Sequence, residues 1–131
     1  MKTILLTATN LTNMKKNPLH EKSLLFAVRI VKLYQYLCTE KKEYVLSKQI
    51  LRSGTSIGAN FRESRNAQSS ADFINKMNIA LKEADETQYW LELMKLTKII
   101  NEEIYNSLNQ DLSEIIAMLV TAIKTLKTKA S

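Results

Sequence analysis

Apolar residues recur along most of this chain with the three- and four-residue spacing of amphipathic helices. Residues 17–38, 44–67, 69–99 and 101–127 each place such residues on one stripe when successive positions are turned by about 100°. In the last segment the spacing alternates regularly between three and four residues, which is typical of packed helical bundles. The pattern therefore predicts an all-α fold, and the short loops favour an antiparallel up-and-down four-helix bundle.

Residues that typically begin a helix support three of these boundaries. Asn17 precedes Pro18, and proline suits the first position of a helix. Ser69 lies three residues before Asp72 in a capping pattern. Asn101 is followed by two glutamates, which favour the positive end of a helix dipole. These residues predict the same helix starts as the periodicity does, from an independent kind of observation.

The second predicted helix contains the only two glycines of the chain, Gly54 and Gly58. Each glycine costs about 1 kcal/mol relative to alanine inside a helix, so a compensating close approach to another helix is expected. Small residues four positions apart allow such an approach. The alternative is a loop at residues 54–58 between two short helices, although the apolar spacing continues in register across them.

The start of the chain lacks the helical periodicity of apolar residues that the later segments show. We expect residues 1–14 to form a disordered leader and residues 15–128 to form the bundle domain. The apolar stretch at Ile4 is too short for a signal peptide, and no segment is apolar for long enough to cross a membrane. Met14 is a second candidate start codon beside Met1.

Helices 1 and 3 carry apolar residues on a second side, away from their main stripes. A helix in a lone four-helix bundle buries only one face, so the surplus predicts a subunit interface. The alternative is that a large residue such as Trp90 widens the core. The candidate interface residues are Leu25, Val28, Tyr36, Tyr89, Leu93, Leu96 and Ile100.

Composition argues against a catalytic or metal centre. His20 is the only histidine and Cys38 the only cysteine, so one chain cannot assemble a catalytic triad, a Cys–His dyad or a His-rich metal site. No histidine follows a glutamate at the spacing of di-iron bundles, and residues 54–58 lack the lysine of a phosphate-binding loop. We expect no enzymatic activity and no cofactor; the remaining enzymatic alternative is a site shared between subunits. A single cysteine excludes an intramolecular disulfide and fits the cytoplasm.

The net charge of +6 is distributed unevenly along the chain. Residues 1–65 hold 12 Lys and Arg against 4 Asp and Glu, whereas residues 66–131 hold 7 against 9. Such asymmetry predicts one basic face and one mildly acidic face. On helix 2, four basic side chains fall within an arc of about 140° opposite the apolar stripe. The candidates for nucleic-acid contact are Lys48, Arg52, Arg62 and Arg65 on helix 2, extended by Lys22, Arg29 and Lys32 on helix 1.

This basic patch favours contact with RNA or DNA, because the planar guanidinium of arginine suits phosphate oxygens. The main alternative is a solvated helix face, which is what most charged helix surfaces are. An acidic protein or a membrane surface is a further alternative. No aromatic residue projects among these charges, so the patch lacks a stacking platform for single-stranded nucleic acid.

Three stretches resemble a bacterial four-helix-bundle family named for proteins encoded in intervening sequences of 23S ribosomal RNA genes, also labelled S23. The stretches are KSLLFAVRIVKLYQYL, YVLSKQILRSGTSIGANFRES and AQSSADFINKMNIALKEADETQYWLELM. The resemblance covers about residues 15–127, and its most specific element is RSGTSIGAN, from Arg52 to Asn60.

The resemblance implies an antiparallel four-helix bundle that assembles into a ring-forming homopentamer. The accessory protein of diversity-generating retroelements is similar in fold, and this similarity implies nucleic acid and a reverse transcriptase as partners. The resemblance implies no catalytic residue and no place in the ribosome, since the label reflects gene location. Two functions therefore compete: a homo-oligomer that binds RNA or DNA without sequence specificity, and a protein–protein scaffold or adaptor with no nucleic-acid role.

Overall fold

The computed structural model describes residues 17–130, which contain four helices and no strand. Each helix packs against the next, and the last also packs against the first, so the first and third lie diagonally opposite each other. The predicted antiparallel four-helix bundle is confirmed, and the helix ends lie within a few residues of the expected positions. We number the helices α1 (Pro18–Thr39), α2 (Leu46–Ser64), α3 (Ser70–Leu96) and α4 (Glu102–Ala130).

The predicted leader, residues 1–14, lies outside the described residues. The predicted domain boundary at residue 15 lies outside them as well. Within residues 17–130, no helix is both long and apolar enough to span a membrane.

One continuous core runs along the bundle axis. Each helix contributes the apolar stripe that its periodicity predicts. Full burial of a side chain of this size contributes about 1.5–3 kcal/mol before the loss of conformational entropy is subtracted. The largest fully buried side chains include Phe26, Ile30, Leu37, Ile50, Ile57, Met77, Leu91, Met94, Leu112, Ile115 and Leu119.

Capping hydrogen bonds confirm the three predicted helix starts. In each case a side-chain oxygen accepts a bond from the backbone amide three residues further on, and this satisfies a donor that has no partner inside the helix. The acceptor and donor residues, with their O···N distances, are Asn17 and His20 (3.2 Å), Ser69 and Asp72 (3.1 Å), and Asn101 and Ile104 (2.8 Å).

The start of α2 depends on a glutamate that precedes the helix. Both carboxylate oxygens of Glu43 accept backbone amides, from Val45 and Leu46 at 3.0 Å and from Ser47 at 2.7 Å. Burial alone would raise the pKa of the Glu43 carboxyl, but the amide bonds outweigh it and hold this pKa below its usual value. The carboxylate thus takes the place of the Ser, Thr or Asn side chain that commonly caps a helix.

Gly54 and Gly58 lie inside α2 and face α1, as predicted, so the alternative of a loop at residues 54–58 is wrong. A Cβ atom at Gly54 would lie 2.8 Å from Cγ1 of Ile30, which is a clash. A Cβ atom at Gly58 would lie 3.2 Å from the hydroxyl oxygen of Ser23, which is a tight contact. The helices α1 and α2 therefore approach each other more closely at Gly54 than a side chain would allow.

The end of α3 differs from the prediction, and the difference relocates one candidate interface residue. The helix ends at Leu96, and Lys98 adopts the left-handed conformation with a φ of 64°. The chain then reverses, and the amides of Ile99 and Ile100 both donate to the Met94 carbonyl. This reversal turns Ile100 into the core, where it is 2% exposed. The prediction that Ile100 faces outward is therefore wrong.

The other candidate interface residues lie at or near the surface of the subunit. Exposure reaches 69% at Leu96. Trp90 packs against the core yet leaves these side chains accessible, so a widened core does not account for them. Leu24 and Val31, which the prediction omitted, are also exposed on α1. The predicted residues are Leu25, Tyr36, Tyr89 and Leu96, which are exposed, and Val28 and Leu93, which are half-buried.

Candidate nucleic-acid interface

The seven basic side chains predicted to contact nucleic acid lie on different sides of the bundle. Helix α2 has a ridge that faces solvent, with α1 on one flank and α3 on the other. Because successive positions turn by about 100°, the arc that holds Arg52, Arg62 and Arg65 crosses this ridge from one flank to the other. Whether each basic side chain forms an ion pair therefore depends on which acidic residues the neighbouring helix carries beside it.

Arg52 lies on the α3 flank, where two carboxylates bind it. Its guanidinium donates to Glu83 at 2.9 Å and also to Glu86. The indole N–H of Trp90 donates to the same Glu86 carboxylate at 3.1 Å. The Trp90 bond, together with the Arg52 pair and against the opposing effect of burial, lowers the pKa of Glu86. Glu83 and Glu86 therefore compensate the positive charge of Arg52 within the subunit.

Lys22, Arg29 and Lys32 lie on the side of α1 that faces α4. Lys22 forms an ion pair with Glu114, which raises the pKa of the lysine and lowers the pKa of the glutamate. Arg29 donates to Asp111 at 2.6 Å. Lys32 lines a groove between α1 and α4 together with Arg29. The prediction that these three residues extend the α2 patch is therefore wrong, because they lie on the opposite side of α1 from α2.

Lys48, Arg62 and Arg65 are exposed, and none of them forms an ion pair with another residue of the described range 17–130. Lys48 lies near the start of α2, about 20 Å from Arg62 at 1.5 Å per residue. Arg62 and Arg65 lie at the end of α2, beside the first turn of α1. We call this end of the bundle, formed by the first turn of α1 and the last turns of α2, the foot. The uncompensated charge of the α2 patch is therefore concentrated at the foot.

His20 belongs to the same cluster, although no motif in the sequence indicates that it forms part of a site. It is half-buried in the first turn of α1, and together with Arg62 it lines a groove of about 430 Å³ between α1 and α2. Burial and then the charges of Arg65 and Arg62 lower the pKa of the His20 imidazole. The antiparallel order of the helices could have indicated this proximity, because it places the first turn of α1 beside the last turn of α2.

The chemistry available at the foot is attraction of an anion. Within the described part of the chain, no group of three His, Cys, Asp or Glu side chains is arranged to hold a metal ion. His20 and Cys38 lie at opposite ends of α1, about 27 Å apart along the helix axis, so they cannot form a Cys–His dyad in one subunit. Cys38 is half-buried, with its thiol 3.8 Å from the hydroxyl of Ser47.

Fold and charge together define the class of protein as an antiparallel four-helix bundle whose foot carries two exposed arginines that form no ion pair with a described carboxylate. The family model described as the 23S rRNA-intervening sequence protein matches residues 15–121. The chain belongs to this family, which confirms the resemblance seen in the sequence.

A solved relative has the same fold. It is a protein with unknown function from the S23 ribosomal protein family of Bacteroides thetaiotaomicron VPI-5482, known from a crystal structure. The two chains are 63% identical, and the match covers 81% of this chain and 98% of that chain with a TM-score of 0.80. No curated protein matches this chain. The comparisons thus establish the family and the fold, and they name no ligand.

Proposed function

We propose that this protein is a non-enzymatic homo-oligomer that binds RNA or DNA without sequence specificity through the basic foot of each subunit. The observation that supports the proposal most is the pair of exposed arginines, Arg62 and Arg65, which form no ion pair with a described acidic residue. A guanidinium group can donate two parallel bonds to phosphate oxygens, and such charge-assisted bonds are about twice as strong as neutral ones.

Sequence preference should be slight at such a surface. Arg62 lies in the last turn of α2 and Arg65 directly follows this helix, whose flanks pack against α1 and α3. Helix-turn-helix proteins contact base edges with the N-terminal residues of their recognition helix, whereas these two arginines lie at the C-terminal end of α2. Contacts from these side chains would go to phosphates, which position a nucleic acid without reading its bases.

The exposed apolar residues support self-association. Because α1 and α3 lie diagonally opposite each other, their exposed apolar residues face opposite sides of the subunit. Two different patches on opposite sides favour head-to-tail contacts, in which the α1 patch of one subunit binds the α3 patch of the next. Such contacts close into a ring when the rotation from one subunit to the next is a whole fraction of 360°. The homopentamer implied by the family resemblance is a ring of this kind. Each subunit of a ring would contribute one foot, so several weak phosphate contacts would act together.

Three further expectations belong to the proposal. The protein acts in the cytoplasm, it has no enzymatic activity and no cofactor, and a protein partner such as a reverse transcriptase binds away from the foot. The separation of His20 from Cys38 along α1 supports the absence of a nucleophilic site within one subunit. The competing function is a scaffold or adaptor, which shares the oligomer but does not bind nucleic acid.

Gel-shift titration distinguishes the two functions. If a ring contacts about six phosphates, its affinity for generic RNA or duplex DNA should fall by roughly 10³-fold or more between about 50 and 200 mM salt. Arg62→Glu combined with Arg65→Glu should abolish the complex and leave the helical circular dichroism unchanged, since both residues are exposed. The matched control is Arg52→Ala, which removes an arginine of the same helix that is already paired and should retain binding. If micromolar wild-type protein forms no complex with either nucleic acid at low salt, the scaffold function replaces this proposal.

Light scattering tests self-association. The wild type should scatter as an assembly several times heavier than the 15.0 kDa chain, and a pentamer would be five times heavier. Tyr89→Glu combined with Leu96→Glu should break the assembly without loss of helical content, because both side chains are exposed in the subunit. Asn78→Glu is the control, since it adds the same charge at an exposed polar position of α3. A wild-type monomer at tens of micromolar would contradict the proposed assembly.

A further inference from the structure

A groove opens at the foot between α1 and α2, and small residues of both helices form its floor. Ser23 and Ala27 line it from α1, and Gly58 and Ala59 line it from α2. A Cβ atom at Gly58 would already lie 3.2 Å from the Ser23 hydroxyl, so the floor lies close to both backbones. The volume of about 430 Å³ falls within the range of roughly 300–1,000 Å³ that is typical of small-ligand pockets.

The rim of this groove is positively charged. His20 lines it from α1 and Arg62 lines it from α2, while Arg65 lies close enough to act on the same imidazole. The lowered pKa of His20, caused first by burial and then by Arg65 and Arg62, places the three side chains in one electrostatic environment.

Acidic side chains do little to compensate this charge. Glu63 is the one acidic residue among the described residues that line the groove, and it forms no ion pair with Arg62 or Arg65. Helices α3 and α4 contribute no residue to the lining. A ligand with negative charge would therefore meet His20, Arg62 and a single carboxylate in the groove, with the charge of Arg65 nearby.

We propose that this groove binds a phosphate group between His20, Arg62 and Arg65, and that the group is a phosphodiester of a nucleic-acid strand. The inference rests on the proposed function and specifies the site that carries it out. Arg62 and Arg65 supply the permanent charge and the paired donors that phosphate oxygens accept. His20 supplies an imidazole whose second N–H becomes a donor when the ring is protonated.

Phosphate binding at this site is coupled to protonation of His20. In the free protein the two arginines disfavour the charged imidazole, whereas a phosphate held among them favours it. Binding and protonation are linked, so a ligand that favours the protonated ring binds more tightly as the pH falls through the range in which the ring titrates. Affinity for a phosphodiester should therefore increase as the pH falls towards and below 6.5, the usual pKa of histidine, because burial and the two arginines hold the pKa of the free His20 ring below that value.

The single histidine of the chain makes the coupling directly measurable. The ring protons of His20 are titrated by NMR in sodium chloride and in dimethyl phosphate at equal ionic strength. Dimethyl phosphate is a phosphodiester that keeps one negative charge throughout the titration. The midpoint should be higher in dimethyl phosphate than in chloride, and a short oligothymidylate should raise it further, because neighbouring phosphates reach the same foot. A midpoint that is equal in all three solutions would overturn the proposal.

Three variants test whether the effect arises in the groove. Arg62→Ala with Arg65→Ala should raise the midpoint in chloride, because it removes two opposing charges, and should eliminate the rise caused by phosphodiester. Ala59→Phe should also eliminate that rise, since it fills the groove from an exposed position without changing the charge. Arg52→Ala is the control and should titrate like the wild type. A phosphodiester-induced rise that survives in either groove variant would mean that the anion binds elsewhere, and the proposal would be wrong.

The two measurements separate this site from the proposed function. If a gel-shift complex forms while oligothymidylate leaves the His20 midpoint unchanged, nucleic acid binds at another surface. That outcome contradicts binding of nucleic acid in the groove but leaves the proposed function intact. If dimethyl phosphate raises the midpoint while no gel-shift complex forms, the groove binds phosphate and its assignment to nucleic acid is wrong.

Discussion

The two halves of α2 contain the same kinds of residue and differ in what those residues contact. In the first half, two carboxylates of α3 bind Arg52, and Gly54 packs against α1 at a distance that excludes a side chain. In the second half, Arg62 forms no ion pair with a described residue, and Gly58 faces the small side chain of Ser23. Both halves contribute to the core, but the first half is closely packed and paired on its flanks, whereas the second half leaves a groove and an arginine that pairs with no described residue.

This comparison shows that a count of arginines does not measure the charge available to a partner. Helix α3 presents Glu83 and Glu86 at the level of Arg52. The same helix begins at Ser70, and near the end of α2 it contributes Met77, whose sulfur lies 3.8 Å from the Ser64 hydroxyl. An arginine of α2 is neutralised where α3 carries an acidic residue at the same level along the bundle axis. Elsewhere its charge stays accessible to solvent or to a ligand.

The largest expected effect is overpacking in the first half of α2. Gly54→Leu should lower the free energy of unfolding by about 3 kcal/mol, because its Cβ atom would clash with the buried side chain of Ile30. Gly58→Leu should cost less, on the order of 1–3 kcal/mol, because it meets the smaller Ser23 beside an open groove. Chemical denaturation measures both. If the two variants lose equal free energy of unfolding, α1 packs equally closely against both halves of α2, which would contradict the comparison. If either variant is as stable as the wild type, its glycine does not face α1.

The Glu43 carboxylate at the start of α2 should make the free energy of unfolding depend on pH. Glu43→Gln should lower the free energy of unfolding by about 1 kcal/mol near neutral pH, because it removes the charge that three amides bind. The pKa of Glu43 is lowered in the folded state, so its contribution is present above the usual value of 4.5 and is lost as the pH falls through the lower folded value. Thermal unfolding across this range should show the wild type and the variant converging at acidic pH. A constant gap would contradict the assigned role of the carboxylate.

Smaller effects are expected when alanine replaces the two glycines, and the two variants should differ in direction. Gly58→Ala should leave stability unchanged or raise it by up to about 1 kcal/mol, because the gain in helix propensity offsets a tight contact that the Ser23 side chain can relieve. Gly54→Ala should be destabilising, because its Cβ atom would lie 2.8 and 2.9 Å from two atoms of Ile30. Melting temperatures of the pair provide the measurement. A stabilised Gly54→Ala variant would show that Ile30 of α1 moves away from the added methyl group at little cost.

The smallest expected effect concerns the two kinds of arginine. Arg52→Ala should cost about 0.5–1 kcal/mol, the range of partly exposed ion pairs, because Glu83 loses its partner in a largely buried position. Arg62→Ala should change stability by less than about 0.5 kcal/mol, since it removes an exposed side chain that forms no ion pair with a described residue. Denaturant unfolding in low and high salt checks both values, and only the Arg52 effect should shrink with salt. Equal effects would mean that the pair does not stabilise the fold.

Several features of the fold followed from the sequence itself, because they depend on residues within about four positions of one another. The apolar stripes of all four helices, the caps at Asn17, Ser69 and Asn101 and the helical state of residues 54–58 are of this kind. Local failures occurred where a residue acted outside its usual role. Glu43 caps a helix with a carboxylate, and Lys98 adopts a conformation that usually favours glycine.

The candidate site was decided by the tertiary structure. Arg52 and Glu83 are 31 positions apart and Lys22 and Glu114 are 92 apart, so their pairing depends on which helices are neighbours and on their relative height. The same packing brings His20 close to Arg62 and Arg65. Periodicity in a sequence specifies which face of a helix is apolar, because burial acts on each helix separately. It does not specify which charges meet across two helices, because that depends on distances between chain segments that only the packed bundle defines.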